Sequence, residues 1–185
     1  MNNEDLSKIV SLCKEGNTEA QKKLFYLYSE QMMFVCKRYL FNDEDCKDVL
    51  MDSFMQVFKA MPSYEFKGGK ALYSWIRTIV TNRCINVIKK KVRQKPTIDI
   101  EQYEQEKRID QEKQYEYTQE ELMWCLKNIP ERLRLIFNMY VIDEYSLKDI
   151  AIRLETSVDT IKTSLFQARN LLRQKLEELK AKHIR

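Results

Sequence analysis

Between Ser146 and Arg173 the chain reads SLKDIAIRLETSVDTIKTSLFQARNLLR, two short apolar stripes separated by a three-residue break. Ser146 is placed to cap a first helix, and Asp149 three residues on supplies the acid of a capping box. Leu147, Ile150, Ala151 and Leu154 then recur at the 3–4 spacing of one helical face. Glu155-Thr156-Ser157 interrupts it, and Ser157 can cap a second helix, whose seam is Val158, Ile161, Leu165, Ala168 and Leu172. The other side of that helix carries Asp159, Lys162, Thr163, Gln167, Asn170 and Arg173. Two helices joined this tightly form a helix-turn-helix, whose second helix enters the major groove of DNA. A solvated helical hairpin would share the pattern, but Ser157 to Arg185 holds seven Lys/Arg against three Asp/Glu. That imbalance favours a polyanion as partner.

Composition narrows the rest. Hydrophobic residues make up 44% of the 185, enough for real cores, and the only three glycines are Gly16, Gly68 and Gly69. So little glycine excludes phosphate-cradling Gly-rich loops and disfavours turn-dense β folds. The expected class is all-α: two small helical domains joined by an acidic linker, the second carrying the helix-turn-helix. A net charge of +4 is mild, so any basic function depends on local clustering. Cys13, Cys36, Cys46, Cys84 and Cys125 form no C-x-x-C, and His183 is the single histidine. No metal set or cofactor follows, and the thiols are expected to be reduced and buried in a cytoplasmic protein. No apolar run is long enough to insert in a membrane, and MNNEDLSK does not read as a targeting sequence.

The first part of the chain predicts helices over Asp5–Glu15, from Thr18 (as cap) to about Phe41, over Asp45–Met61 and over Ala71–Arg93. The second should bury Leu24, Leu27, Tyr28, Met32, Val35 and Tyr39, and the third Leu50, Phe54, Val57, Phe58 and Met61. Another face of the third helix carries Asp48, Met51, Asp52, Met55 and Gln56, carboxylates beside thioethers, which suits a partner surface. Ser63–Lys70 is a loop holding Tyr64 and Phe66. On the fourth helix, Trp75, Ile79, Asn82, Asn86, Lys89, Lys90 and Arg93 share a side at about 100° per residue, with Arg83 at its edge. Its first half is expected to be buried all round. Amides among cations, beside a loop of aromatics, suit nucleic acid with unstacked bases.

Asp99 to Glu121 holds nine acids and three bases, a linker composition. Beyond it come helices at Leu122–Lys127 and Glu131–Val141, broken at Asn128-Ile129-Pro130. The domains expected are 1–95, a linker over 96–118, and 119–185.

With three patterns in this order the chain resembles a bacterial sigma factor of the extracytoplasmic-function (ECF) group of the sigma-70 family. The core-binding helix pattern matches at Asp48, Met51, Asp52 and Phe54, with Met51 in place of the usual Gln. Trp75, Ile79, Asn82, Asn86, Lys89 and Lys90 match the next motif. Pro130, Arg132, Ile136, Phe137, Ile150, Ala151, Leu154, Ser157, Thr160, Ile161, Lys162, Ala168, Arg169 and Leu172 match the last. Two departures stand out: Glu155 lies where a turn glycine is common, implying strain if φ is positive, and Ser164 where an arginine is often found, implying a lost phosphate contact.

The resemblance implies a non-enzymatic protein that binds core RNA polymerase and directs it to promoters. Asp48, Met51, Asp52, Met55 and Gln56 would meet the polymerase. Tyr64, Phe66, Asn82, Arg83, Asn86, Lys89, Lys90 and Arg93 would bind the -10 element, and Ser157, Asp159, Thr160, Lys162, Thr163, Gln167 and Arg169 the -35 element. A cognate anti-sigma factor is a further expected partner. The residues alone also allow a dimeric helix-turn-helix regulator whose residues 1–95 sense or dimerise, or a helical protein-interaction module without nucleic acid.

Overall fold

The computed structural model describes residues 2–94 and 118–183, and these hold eight α-helices and no strand. They divide into two compact units, residues 1–87 and 88–185. All but Thr118 of the linker expected over 96–118 lies outside the described residues.

The first unit contains α1 (Asn3–Lys14), α2 (Thr18–Leu40), α3 (Asp43–Ala60), a 3-10 turn (Met61–Ser63) and most of α4 (Gly69–Gln94). Asparagine opens each of the first three helices. Asn2, Asn17 and Asn42 accept from the backbone N–H groups of Asp5, Ala20 and Asp45 at 2.8, 2.9 and 2.9 Å, satisfying donors that a helix start leaves orphaned. The cap of α2 is therefore Asn17, not Thr18, and α3 starts two residues earlier than expected. Leu24, Met32, Tyr39, Phe54, Val57, Leu72, Ile76 and Val80 fill the core, with the Phe25 and Phe54 rings meeting edge-on at 4.8 Å. Leu27, expected inside, is 41% exposed and shares its face with exposed Tyr26 and Phe34.

At the start of α4, Gly68 adopts φ +98, and a Cβ on Gly69 would lie 3.2 Å from Leu6 Cδ2. The Gly69 N–H donates to Asn3 Oδ1 at 3.1 Å, tying α4 to α1. These two positions need glycine for different reasons, backbone conformation and close approach. The first half of α4 is not buried all round as expected: Ser74 and Thr78 are exposed. The Thr78 hydroxyl turns back to Ser74 O at 2.8 Å.

The second unit holds α5 (Gln119–Lys127), α6 (Glu131–Phe137), α7 (Leu147–Leu154) and α8 (Val158–His183). A reciprocal Thr118–Glu121 capping box starts α5, three residues before the expected helix. After α6 the chain widens into a π-helical segment, Asn138–Ile142, rather than continuing regularly to Val141. Buried Arg134 steadies the α5–α6 break by donating to Leu126 O and Ile129 O, each at 3.4 Å; burial lowers the pKa of its guanidinium. Leu126, Ile136, Met139, Ile150, Ile161 and Ala168 make the core.

All five cysteines are free and buried. Desolvation raises the thiol of Cys13 to about 11 and that of Cys46 to about 12. Among the described residues no helix is long and apolar enough to cross a membrane, and no cluster of His, Cys, Asp or Glu could hold a metal ion.

Candidate polymerase and nucleic-acid interfaces

Asp48, Met51, Asp52, Met55 and Gln56 are all exposed along one face of α3. The opposite residues Leu50, Phe54 and Val57 are buried, so the helix has little freedom to rotate. Met51 is 55% exposed and Met55 66%, a large apolar surface amid carboxylates. Flexible thioethers suit an irregular partner surface.

The loop after α3 is organised by its aromatics. Tyr64 stacks on Trp75 of α4, with ring centroids 4.2 Å apart and planes at 25°. The Tyr64 hydroxyl is buried with no hydrogen-bond partner, and burial raises its pKa. One face of Tyr64 is thus occupied by Trp75, which was absent from the expected contact residues. The motif contained Trp75, but its stacking depends on the loop conformation, which periodicity does not encode. Phe66 is half-buried. Along α4, Asn82 is half-buried and Asn86 exposed, one turn apart, and Lys89 and exposed Lys90 follow on the same side. The helix continues through Arg93, whose side chain lies outside the described residues.

Arg83 is engaged in an ion pair. Its Nη2 donates to Asp52 Oδ2 at 3.1 Å, joining a residue expected to meet DNA to one expected to meet polymerase.

In the second unit the helix-turn-helix forms as its sequence requires. Asp149 N donates to Ser146 Oγ at 3.1 Å, and Ser146 Oγ reaches Asp149 Oδ2 at 2.7 Å. The turn closes as a Schellman motif, with Thr156 N on Ala151 O at 3.0 Å and Glu155 N on Ile152 O at 3.3 Å. Glu155 sits at φ 54, ψ 48, the left-handed conformation anticipated at that position. Ser157 then caps α8, accepting from Thr160 N at 3.0 Å and sharing a 2.8 Å contact with the Thr160 hydroxyl.

Several expected DNA-contacting groups are engaged locally. Lys162 pairs with Asp159 at 3.1 Å, and the Thr163 hydroxyl donates to Asp159 O at 3.0 Å. Both side chains remain exposed, as does Arg169, while Gln167 is half-buried. Between Lys162 and Arg169 lies a shallow groove of about 190 Å³, lined by Tyr140, Leu147, Leu165 and Phe166. Phe166 is 49% exposed and was not anticipated, because an isolated aromatic in a polar helix face carries no periodic signal. Ser164 is 1% exposed. Its side chain is enclosed in the core.

Known proteins carry the same two modules. A family profile described as Sigma-70 region 2 matches residues 24–94, and one described as Sigma-70, region 4 matches residues 119–172. The chain belongs to the sigma-70 family. Curated relatives include members of the ECF group: the ECF RNA polymerase sigma-E factor of Salmonella typhimurium (strain 14028s) is 25% identical over 182 residues, covering 92% of this chain and 94% of that protein. The corresponding factor of Escherichia coli (strain K12) is 24% identical with the same coverage. Among solved structures, a co-crystal structure of the sigma factor RpoE with the anti-sigma factor NepR from Bartonella quintana aligns at a TM-score of 0.49 and 19% identity. It covers 84% of this chain and 96% of that one. As an ECF sigma factor, this non-enzymatic protein binds core RNA polymerase and directs it to promoters for transcription initiation.

Proposed function

We propose that these tasks divide among three surfaces: the exposed face of α3 for core polymerase, α4 and the Tyr64–Phe66 loop for the -10 element, and α8 for the -35 element. The observation that carries this is the exposure of Asp48, Met51 and Met55 on the side of α3 opposite its buried stripe. Carboxylates match the guanidinium fork of arginine, and the methionines supply adaptable apolar area between them. On α4, Asn82 and Asn86 read donor and acceptor patterns on bases, while Lys89 and Lys90 neutralise phosphate as point charges. On α8, the N-terminal residues Ser157, Asp159, Thr160 and Thr163 approach base edges, and Lys162, Gln167 and Arg169 flank them. The domains run over residues 1–95 and 119–185, joined by the acidic segment 96–118. The protein works in the cytoplasm and is held in check by a cognate anti-sigma factor, for which the exposed Met51 and Met55 offer apolar area.

The test is reconstitution with purified core polymerase, where promoter-specific transcripts should appear. Asp48→Arg should weaken core binding in a pull-down titration by about 2 kcal/mol or more, as when one partner of an interfacial ion pair is lost. Unchanged affinity would remove α3 from the interface.

A further inference from the structure

The Asp52–Arg83 pair joins two surfaces that the proposed division keeps apart. It uses one nitrogen and one oxygen, Arg83 Nη2 and Asp52 Oδ2 at 3.1 Å, and Arg83 Nε is buried with no hydrogen-bond partner. A two-point fork would have satisfied the guanidinium more fully. Both side chains keep substantial exposure, 39% for Arg83 and 58% for Asp52. Exposed single-contact pairs are weak and readily exchanged. Around the axis of α4, Arg83 lies about 60° from Asn86 at 100° per residue, on the flank of the amide-bearing side.

We propose that Asp52 withholds Arg83 from DNA in the free chain, and that docking of core polymerase on Asp52 releases the Arg83 guanidinium to a promoter phosphate. This rests on the reading of α3 as the docking face and deepens it. A polymerase arginine arriving at Asp52 competes for the carboxylate oxygens. Arg83 then loses its one anionic partner among the described residues, beside the helix face assigned to the -10 strand, where phosphate is the available replacement. The coupling is reciprocal: DNA that engages Arg83 strengthens core binding by the same factor. The device makes DNA affinity conditional on polymerase, with no movement of a domain.

The experiment uses the full chain and a fluorescently labelled single-stranded oligonucleotide of mixed sequence, about 15 nucleotides long, with anisotropy read across a salt series. Asp52→Asn should tighten binding by the free protein about two- to fivefold, the scale of an exposed ion pair. The salt slope should steepen by about 0.7, as one further phosphate is neutralised. With Arg83→Gln as the reference, adding Asp52→Asn should bring no further gain. A second substitution, Asp52→Ser, should repeat the gain of Asp52→Asn. If the gain persists undiminished in the double variant, it reflects only a lost negative charge, and the handover is wrong. Core polymerase binding by the wild-type chain is measured alongside. Its absence would overturn the docking reading and the handover with it, whereas core binding without any Asp52→Asn gain would overturn the handover alone.

Discussion

Glu155 closes α7 in the left-handed region at φ 54, ψ 48, and its replacement by glycine should stabilise the helix-turn-helix. For an L-residue this conformation costs about 1–2 kcal/mol, because Cβ crowds the following carbonyl. Glycine removes that cost but gives back about 0.5–1 kcal/mol of unfolded-chain entropy. The expected net gain is thus about 0.5–1 kcal/mol. Glu155→Ala is the control, since it also removes the carboxylate but keeps Cβ, so the difference between the two isolates the backbone term. Trp124 lies in α5 and Trp75 in α4, so in a Trp75→Phe background indole fluorescence follows the second unit. With a urea slope of about 1.5 kcal/mol per molar for a unit this small, the Gly variant's midpoint should exceed the Ala variant's by roughly 0.3–0.7 M. Both Schellman bonds are backbone bonds and survive either change. An equal or lower midpoint for Glu155→Gly would refute the claim that strain is stored at this turn.

Ser164→Arg should destabilise the second unit by about 3 kcal/mol or more, because it forces an unpaired cation into a packed site; a fully folded variant with tighter DNA binding would refute the burial of this position. Thr163→Ala should relax -35 preference by roughly 1–3 kcal/mol, while Lys162→Ala should weaken all sequences alike and lower the salt slope by about 1 in holoenzyme binding assays. The reverse pattern would mean that α8 docks differently. In the first unit, Cys13 and Cys46 hold their protons more tightly folded than unfolded. Their contribution is therefore intact below the unfolded thiol range near pH 8.5–9 and is lost as pH rises toward 11–12. Between about pH 9 and 11 stability should fall by up to about 1.4 kcal/mol per pH unit for each thiol, read from urea midpoints. Cys46→Ala should reduce the slope, and a flat profile would contradict the burial of both thiols.

Which parts of this architecture were legible in the sequence follows from the range of the forces involved. Local chemistry read well: Ser146 and Ser157 cap the helices that their spacing announced, and the missing glycine at Glu155 correctly marked a positive φ. Close competitors confused it. Thr18 and Asn17 are adjacent capping residues, and only the backbone decides which stands outside the helix. Leu27 fits the apolar stripe of α2, yet the neighbouring helices do not extend over it, since a single helix cannot say how far its partners cover it. The burial of Ser164 was not announced either, because comparison with a family motif gives residue type without direction. The Asp52–Arg83 bond and the Tyr64–Trp75 stack join residues 31 and 11 positions apart on different elements. Such contacts exist only once α3 and α4 have packed, so no periodicity announces them.

The burial of all five thiols has a practical consequence for watching this protein at work. A thiol-directed fluorophore needs an accessible thiolate, and Cys13, Cys36, Cys46, Cys84 and Cys125 are all enclosed. A cysteine introduced in place of Met55, which is 66% exposed, would therefore be labelled selectively in the native chain without first removing the others. A probe there would sit on the face of α3 assigned to the polymerase, and its emission would report arrival of the enzyme directly.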